Sequence, residues 1–349
     1  MRALRDRDFV ETPEGFFACV VGYLHPPDKV ISYVKYVPHP TGKWGRDEKR
    51  YERLLPDYAM PTLLENIRAL RESHPQYVFY SDVLNTTMSC CPLNRVKKRY
   101  HPEEKLHELE AAEALDPLQQ KALSLASTLS EASGVPLRFF GVTGSILIDI
   151  HRPEFSDIDL TIYGRENALR LRETCQTLHG SKRSPIQRLS GTPLERWCEN
   201  KARLHPLTKA EAKMILGRKW NRGAFEDTFY SLHPIRLDQE ITETYGDRLY
   251  KPEGIATIKA TVTDASQALF LPSTYRVQNA KVLEGPREIN IKEVTTYEGL
   301  YGDILQAGED FVARGKVERV LDKKSGDEYH RLFIGSAEAV GQDYIKPIS

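Results

Sequence analysis

Apolar positions recur at helical spacing mainly in the middle of this chain, and the stretches on either side read mostly as strands. Near the N-terminus, residues 16–22 and 29–37 are rich in β-branched and aromatic side chains, with His25-Pro-Pro-Asp28 as the turn between them. Positions 33 to 37 alternate as a half-buried strand does. Leu63, Ile67 and Leu70 then repeat at helical spacing within 60–73. In the middle, Pro117 starts a helix whose buried side carries Leu118, Leu123, Leu125 and Leu129, and Gly134 sits just past its end, where helices favour glycine. Residues 136–140 read as a strand, 146–150 as a short helix, 157–163 as a second strand and 166–178 as a further helix. Ile158, Leu160 and Ile162 form the packing face of the second strand.

From 251 onward the pattern predicts strands alone, at 256–263, 276–283, 289–296, 311–320 and 330–334. Turn signals such as Glu284-Gly-Pro286, Ala307-Gly308 and Lys324-Ser-Gly326 separate them. Five short strands with glycine punctuation suggest a small barrel of OB-like type, a small sandwich or an add-on sheet being the alternatives. The expected fold class is α+β in three parts: an α/β domain over 1–110, a helix-and-strand core over 111–250 and a β-rich domain over 251–349. A length of 349 residues agrees, because it exceeds one ordinary domain.

Composition alters this picture in one place. Lys+Arg and Asp+Glu number 49 each, which excludes a globally basic nucleic-acid binder. Residues 165–222 nevertheless hold fourteen Lys/Arg against five Asp/Glu, a local charge of +9. Such an excess either neutralises a triphosphate or polynucleotide backbone or is balanced by acidic neighbours elsewhere. Its densest part is Arg218-Lys-Trp-Asn-Arg222, where Trp220 is either a base-stacking platform or a core anchor. The basic stretch 94–100 is read as a solvated face or linker, with an RNA- or phosphate-contacting element as the alternative. Five cysteines without C-x₂-C spacing point to a reducing compartment. With no signal segment and no apolar run of roughly 18–20 residues, the expectation is a soluble cytoplasmic protein without a membrane partner.

The candidate chemistry lies between the two core strands. Phe140-Gly-Val-Thr-Gly-Ser145 is followed, after eleven intervening residues, by Asp157-Ile-Asp159. Residues i and i+2 of a strand point to one face, so Asp157 and Asp159 project side by side. Two carboxylates on one rigid strand suit a hard divalent cation such as Mg²⁺. The Gly144-Ser145 turn lets backbone N–H groups and a hydroxyl approach a phosphate closely.

The combination of Gly-Ser, this spacer and Asp-x-Asp resembles the signature of the DNA polymerase β-like nucleotidyltransferase superfamily, over about residues 115–240. The three-part layout is similar to that of uncharacterised archaeal proteins predicted to be nucleotidyltransferases. The resemblance implies a central mixed sheet with helices on one face, and Mg²⁺ or Mn²⁺ held by Asp157 and Asp159. It also implies β/γ-phosphate contacts from Gly144 and Ser145, with Lys182, Arg183 and Arg188 as candidate triphosphate partners. The implied reaction moves an NMP from an NTP to a hydroxyl acceptor, RNA being one candidate, and releases pyrophosphate.

That superfamily adds a third carboxylate on a neighbouring strand, and residues 224–236 are the candidate strand. Its middle holds Ser231, with His233 two residues on. Asp227 shares their face by period-2 logic, but ~13 Å along the strand at ~3.3 Å per residue. Asp238 is the other choice, and Glu226 faces away. Asp227 is taken as the third catalytic carboxylate. His233 is a candidate general base, or else a partly buried histidine with a backbone partner. Should no acid complete the site, the alternative function is a nucleotide- or RNA-binding regulatory protein with a degenerate nucleotidyltransferase site.

Overall fold

A computed structural model describes residues 2–46, 48–286 and 288–348. The N-terminal sheet comprises β1 (Phe9–Glu11), β2 (Phe17–Val20), β3 (Lys29–Pro38), β4 (Trp44–Arg46), β5 (Lys49–Arg53), β6 (Val78–Ser81), β7 (Thr86–Pro92) and β8 (Lys98–Tyr100). The main path runs β4-β5-β3-β2-β1-β8, and β7 pairs with both β3 and β6. Helix α1 (Met60–Ser73) covers the stretch anticipated from its apolar spacing, and α2 (Pro102–Ala111) leads into the middle of the chain. The basic stretch 94–100 is occupied locally. Arg95 pairs with Glu14, Lys97 reaches Glu11 at 2.6 Å, and Lys98 lies 4.4 Å over the Tyr100 ring.

The middle of the chain holds α3 (Pro117–Ser133), β9 (Phe140–Thr143), α4 (Gly144–Leu147), β10 (Ile158–Tyr163), α5 (Arg165–Gly180), β11 (Ile186–Gln187), α6 (Gly191–Leu204), α7 (Lys209–Arg218), β12 (Arg222–Phe225) and β13 (Thr228–Ile235). Its sheet runs β11-β12-β13-β10-β9, with β10 parallel to β13 and antiparallel to β9. The Asp116 side chain caps α3 by accepting from the Leu118 and Gln119 amides at 3.0 Å, and Gly134 ends the helix in the left-handed region. The other Asp116 oxygen meets His151 Nε2 at 2.6 Å, which ties the loop before β10 to the head of α3. Ile158, Leu160 and Ile162 pack with Leu125 and Leu129 of α3 and Leu171 of α5. The opposite face of β10 is therefore left for polar side chains.

Two strands differ from expectation. Residues 137–139 form a 3₁₀ turn, so the first strand starts only at Phe140. Residues 224–236 are a hairpin rather than one strand, because Glu226 and Asp227 both take positive φ, 45° and 62°. A two-residue turn of that hand matches the twist of antiparallel strands and reverses the chain.

Leu147, Ile148 and Ile150, directly after the Gly-Ser turn, are buried in the same cluster as Phe9, Phe17, Tyr33, Tyr36 and Leu55 of the N-terminal sheet. This seam docks that sheet over the polar face of β10. The C-terminal sheet is built from β14 (Arg248–Gln267), β15 (Ser273–Glu284), β16 (Ile291–Thr296), β17 (Asp310–Asp322), β18 (Glu328–Ile334) and β19 (Tyr344–Pro347). Its order is β14-β15-β16-β18-β17-β19, and β14 also pairs with β17, so the sheet curls round on itself. The sequence pattern placed the first five of these strands and missed β19. Within the described residues no helix is long and apolar enough to cross a membrane.

Truncating the seam tests its weight. Leu147→Ala, at a side chain 3% exposed, should cost about 2–5 kcal/mol in chemical denaturation. Leu283→Ala, at an exposed position, should cost under about 0.5 kcal/mol.

Candidate functional site

Arg222, Ser231, Asp159 and Thr143 are register partners, forming one row across β12, β13, β10 and β9. Neighbouring strands lie about 4.8 Å apart, so this row brings together side chains from four strands. Gly144 follows Thr143 with φ +70°, and a Cβ built there would come within 2.6 Å of Asp159 Oδ2. The glycine of the Gly-Ser turn is thus required both by its backbone conformation and by the carboxylate packed against it. Ser145 is buried beside it in α4.

Ser231 Oγ donates a short hydrogen bond to Asp159 Oδ1, and His233 Nε2 lies 2.8 Å from the same hydroxyl. The serine proton is committed to the carboxylate, so the imidazole Nε2–H donates to Ser231 Oγ. Burial, helped by Arg7 and Arg222, pushes the His233 pKa down to about 4 against the opposing pull of Asp159. At neutral pH the ring is therefore uncharged, and its role here is to orient Ser231 and, through it, Asp159. Its partners are side chains, not the backbone.

The two carboxylates are electrostatically unlike. Asp157 is exposed to solvent, whereas the Asp159 side chain is only 18% exposed. Repulsion by Asp159, followed by burial, pushes its carboxyl above the ordinary range, while Lys35 and Arg53 pull it down. For Asp159, burial works upward but is outweighed by the His233 and Ser231 hydrogen bonds and by Lys35, leaving it well below the ordinary range.

Basic side chains from the N-terminal sheet face this pair. Arg7 sits in a left-handed turn, φ 69°, whose carbonyl accepts from Thr143 Oγ1 at 2.7 Å. A bulky residue in that conformation is uncommon and marks a turn held by its surroundings. Lys35 is 7% exposed. Burial would lower its pKa, but Tyr36, Tyr58 and Asp159 outweigh that and hold it above its ordinary value. Arg53 behaves likewise, with Tyr58, Tyr36, Tyr33 and Asp157 outweighing burial. Arg222 is lowered, chiefly by burial.

Several expected site residues lie elsewhere. Asp227 occupies the β12–β13 turn, four positions before Ser231, and does not join the carboxylate pair. The reversal at 226–227 carries it to the far end of the hairpin. Asp238 pairs with Arg5 at 2.6 Å. Arg188 bonds the Gly217 carbonyl at 2.7 Å and neighbours His179 and Tyr230 on the helix-packed side of the sheet. Lys182 and Arg183 are exposed in the loop before β11. Trp220 is buried, and its Nε1 donates to Asp303 at 2.7 Å, which makes it an anchor for the C-terminal sheet. The missed residues are Arg7, Lys35, Arg53 and Arg222. Two leave a sequence trace: Lys35, a lysine inside the alternating apolar run Tyr33-Val-Lys-Tyr-Val37, and Arg222, the end of the basic stretch Arg218-Lys-Trp-Asn-Arg222.

The donor set can be compared with a metal's needs. Asp157 and the Oδ2 side of Asp159 offer oxygens to one hard divalent ion, whose remaining positions water and phosphate would fill. Among the described residues, no group of three His, Cys, Asp or Glu side chains is arranged to hold a metal ion. Ser231, alongside Asp159, provides a hydroxyl that is already bonded to that carboxylate.

The chain is 32% identical over 347 residues to the uncharacterized protein MJ1086 of Methanocaldococcus jannaschii, an alignment covering 98% of each chain. No protein-family model matches it, and no solved structure matches it.

Two outcomes follow from the geometry. Gly144→Ala should displace Asp159 and so weaken at least tenfold whatever Mg²⁺ binding isothermal titration detects at the pair, with the protein still folded by circular dichroism. The His233 ring should titrate near pH 4 by NMR. Because the folded value lies below the unfolded one, about 6.5, the stability linked to the neutral ring is complete above pH 6.5. It should be lost as pH falls toward 4, relative to His233→Gln.

Proposed function

The chain belongs to the same family as the Methanocaldococcus jannaschii protein MJ1086, and from the site geometry we propose that it is a metal-dependent nucleotidyltransferase. The observation that carries this reading is the adjacent Asp157/Asp159 pair, with Gly144 against Asp159 and Lys35 and Arg53 interacting with it from the N-terminal sheet. Mutual repulsion of two carboxylates is relieved by a divalent cation. When bound, such an ion would neutralise charge on the phosphates and help align them. Asp157 and Asp159 are the residues that would hold it.

The remaining work falls to the chain itself. Ser231 and His233 keep Asp159 in one orientation. Gly144 leaves room for the Asp159 carboxylate itself, whose Oδ2 packs against the turn. The transfer forms a bond from the acceptor oxygen to the α-phosphorus as the bond from that phosphorus to pyrophosphate breaks. The hydroxyl proton leaves to water through the open side of the cleft, where Asp157 is exposed. The strand order of the C-terminal sheet, with β16 parallel to β18 and β14 returning to β17, supports an OB-like arrangement. That arrangement fits an RNA acceptor, although fold alone does not dictate the ligand.

One observation favours a second reading. Ser231 is not a carboxylate, so the group that would activate an attacking hydroxyl is missing, as in a nucleotide-binding regulator without turnover. Incubating the full chain with each α-labelled NTP, Mg²⁺ or Mn²⁺ and total cellular RNA separates the two. Label transfer lost in Asp157→Ala/Asp159→Ala is expected. Metal-dependent nucleotide binding with no transfer to RNA or protein would replace the enzyme with the regulator.

A further inference from the structure

Three cations around the carboxylate pair have no acidic partner. The Lys35 ammonium makes no hydrogen bond or ion pair among the described residues. It lies 5.6 Å from the Phe9 and Tyr36 ring centres and 5.8 Å from that of Tyr58. Arg53, beside it on the adjacent strand, stands 5.1 Å from the Tyr58 ring, and its buried Nε has no hydrogen-bond partner. Arg222 enters from the core sheet as the register partner of Ser231, interacts with Asp159 and Asp157, and forms no ion pair within 4 Å among the described residues. A buried cation without a counter-ion is costly unless something else supplies the negative charge. Both carboxylates interact electrostatically with Lys35, and Asp157 also with Arg53. Two negative charges facing three unpaired positive ones leave the cleft positive. A divalent ion on the carboxylates would increase that excess.

We propose that the N-terminal sheet is the phosphate-binding half of the site, in which Lys35 and Arg53, with Arg222 across the cleft, hold the terminal phosphates of a nucleoside triphosphate. This rests on the nucleotidyltransferase reading and assigns a role to strands outside the segment that carries the Gly-Ser and Asp-x-Asp motif. The three cations, from β3, β5 and β12, all interact with the same carboxylate pair. A polynucleotide backbone instead requires a basic stripe along its track, so a short phosphate chain is the better match. The exposed Tyr58 ring, touching both Lys35 and Arg53, helps hold the two cations at the rim.

The test is isothermal titration of the full chain with inorganic tripolyphosphate, with each NTP and with a single-stranded oligonucleotide, all in Mg²⁺. Tripolyphosphate should bind and compete with an NTP. Lys35→Gln and Arg53→Gln should each weaken it at least tenfold, and Lys35→Arg should restore affinity to within about threefold. Arg53 is half-exposed, so its variant provides the readout if Lys35→Gln does not fold. Absence of tripolyphosphate binding by the unaltered chain overturns the inference. So do variants that bind it within twofold of the unaltered chain, or that lose oligonucleotide affinity instead. NTP transfer left intact in both Gln variants would defeat this inference and spare the nucleotidyltransferase reading. Lys35-dependent tripolyphosphate binding without any transfer would do the reverse.

Discussion

Burial of Leu147, Ile148 and Ile150 among the aromatic side chains of the N-terminal sheet is the contact on which the rest of this molecule depends. These residues directly follow the Gly144-Ser145 turn, so the apolar seam and the candidate site share one short segment. A buried side chain of this size contributes about 1.5–3 kcal/mol by removal from water. Its consequence is electrostatic. With the seam closed, Lys35 and Arg53 face Asp157 and Asp159; without it, those cations would lie on an open sheet in water, where their attraction to the carboxylates would be weak.

The cleft so formed holds unlike charges that do not neutralise one another by contact. Asp159 is held low and oriented by a hydrogen-bond chain from His233 through Ser231. Asp157 faces solvent and carries the repulsion of its neighbour. The basic groups interact with both carboxylates but form no ion pair with either. Such an arrangement leaves the cations and Asp157 available to a ligand that brings its own charge, and spends hydrogen bonds only on fixing Asp159.

The basic excess over 165–222 resolves into three different uses. Arg218 meets both Glu309 oxygens at 2.8 Å, Lys219 reaches the Gly302 carbonyl, and Arg172 lies 3.2 Å from Asp303. These contacts, with Trp220, fasten the C-terminal sheet to the core. Lys209 pairs with Glu199 and Arg188 bonds the Gly217 carbonyl within the segment, while Lys182 and Arg183 are solvated. Arg222 alone turns toward the carboxylates, because it is the register partner of Ser231. Local charge density therefore marked an interface more than a binding track.

The sequence by itself determined what short spacings can carry. Asp157 and Asp159 share a strand face two residues apart, α3 runs from its Pro117 start to Gly134, and the late strands follow their turn signals. Gly144 is legible as a glycine turn, and Ser231 as the mid-strand residue facing Asp159's strand. The hairpin at Glu226-Asp227 carries no glycine to mark it, and Glu226 is not a usual carrier of positive φ, so the sequence reads as one strand and places Asp227 on the wrong part of it. Only the tertiary structure decided what stands opposite the carboxylates. Lys35 and Arg53 reach them through a sheet whose docking is set by packing between residues far apart in the chain. A charge's partner across a cleft leaves no periodicity in the sequence on either side.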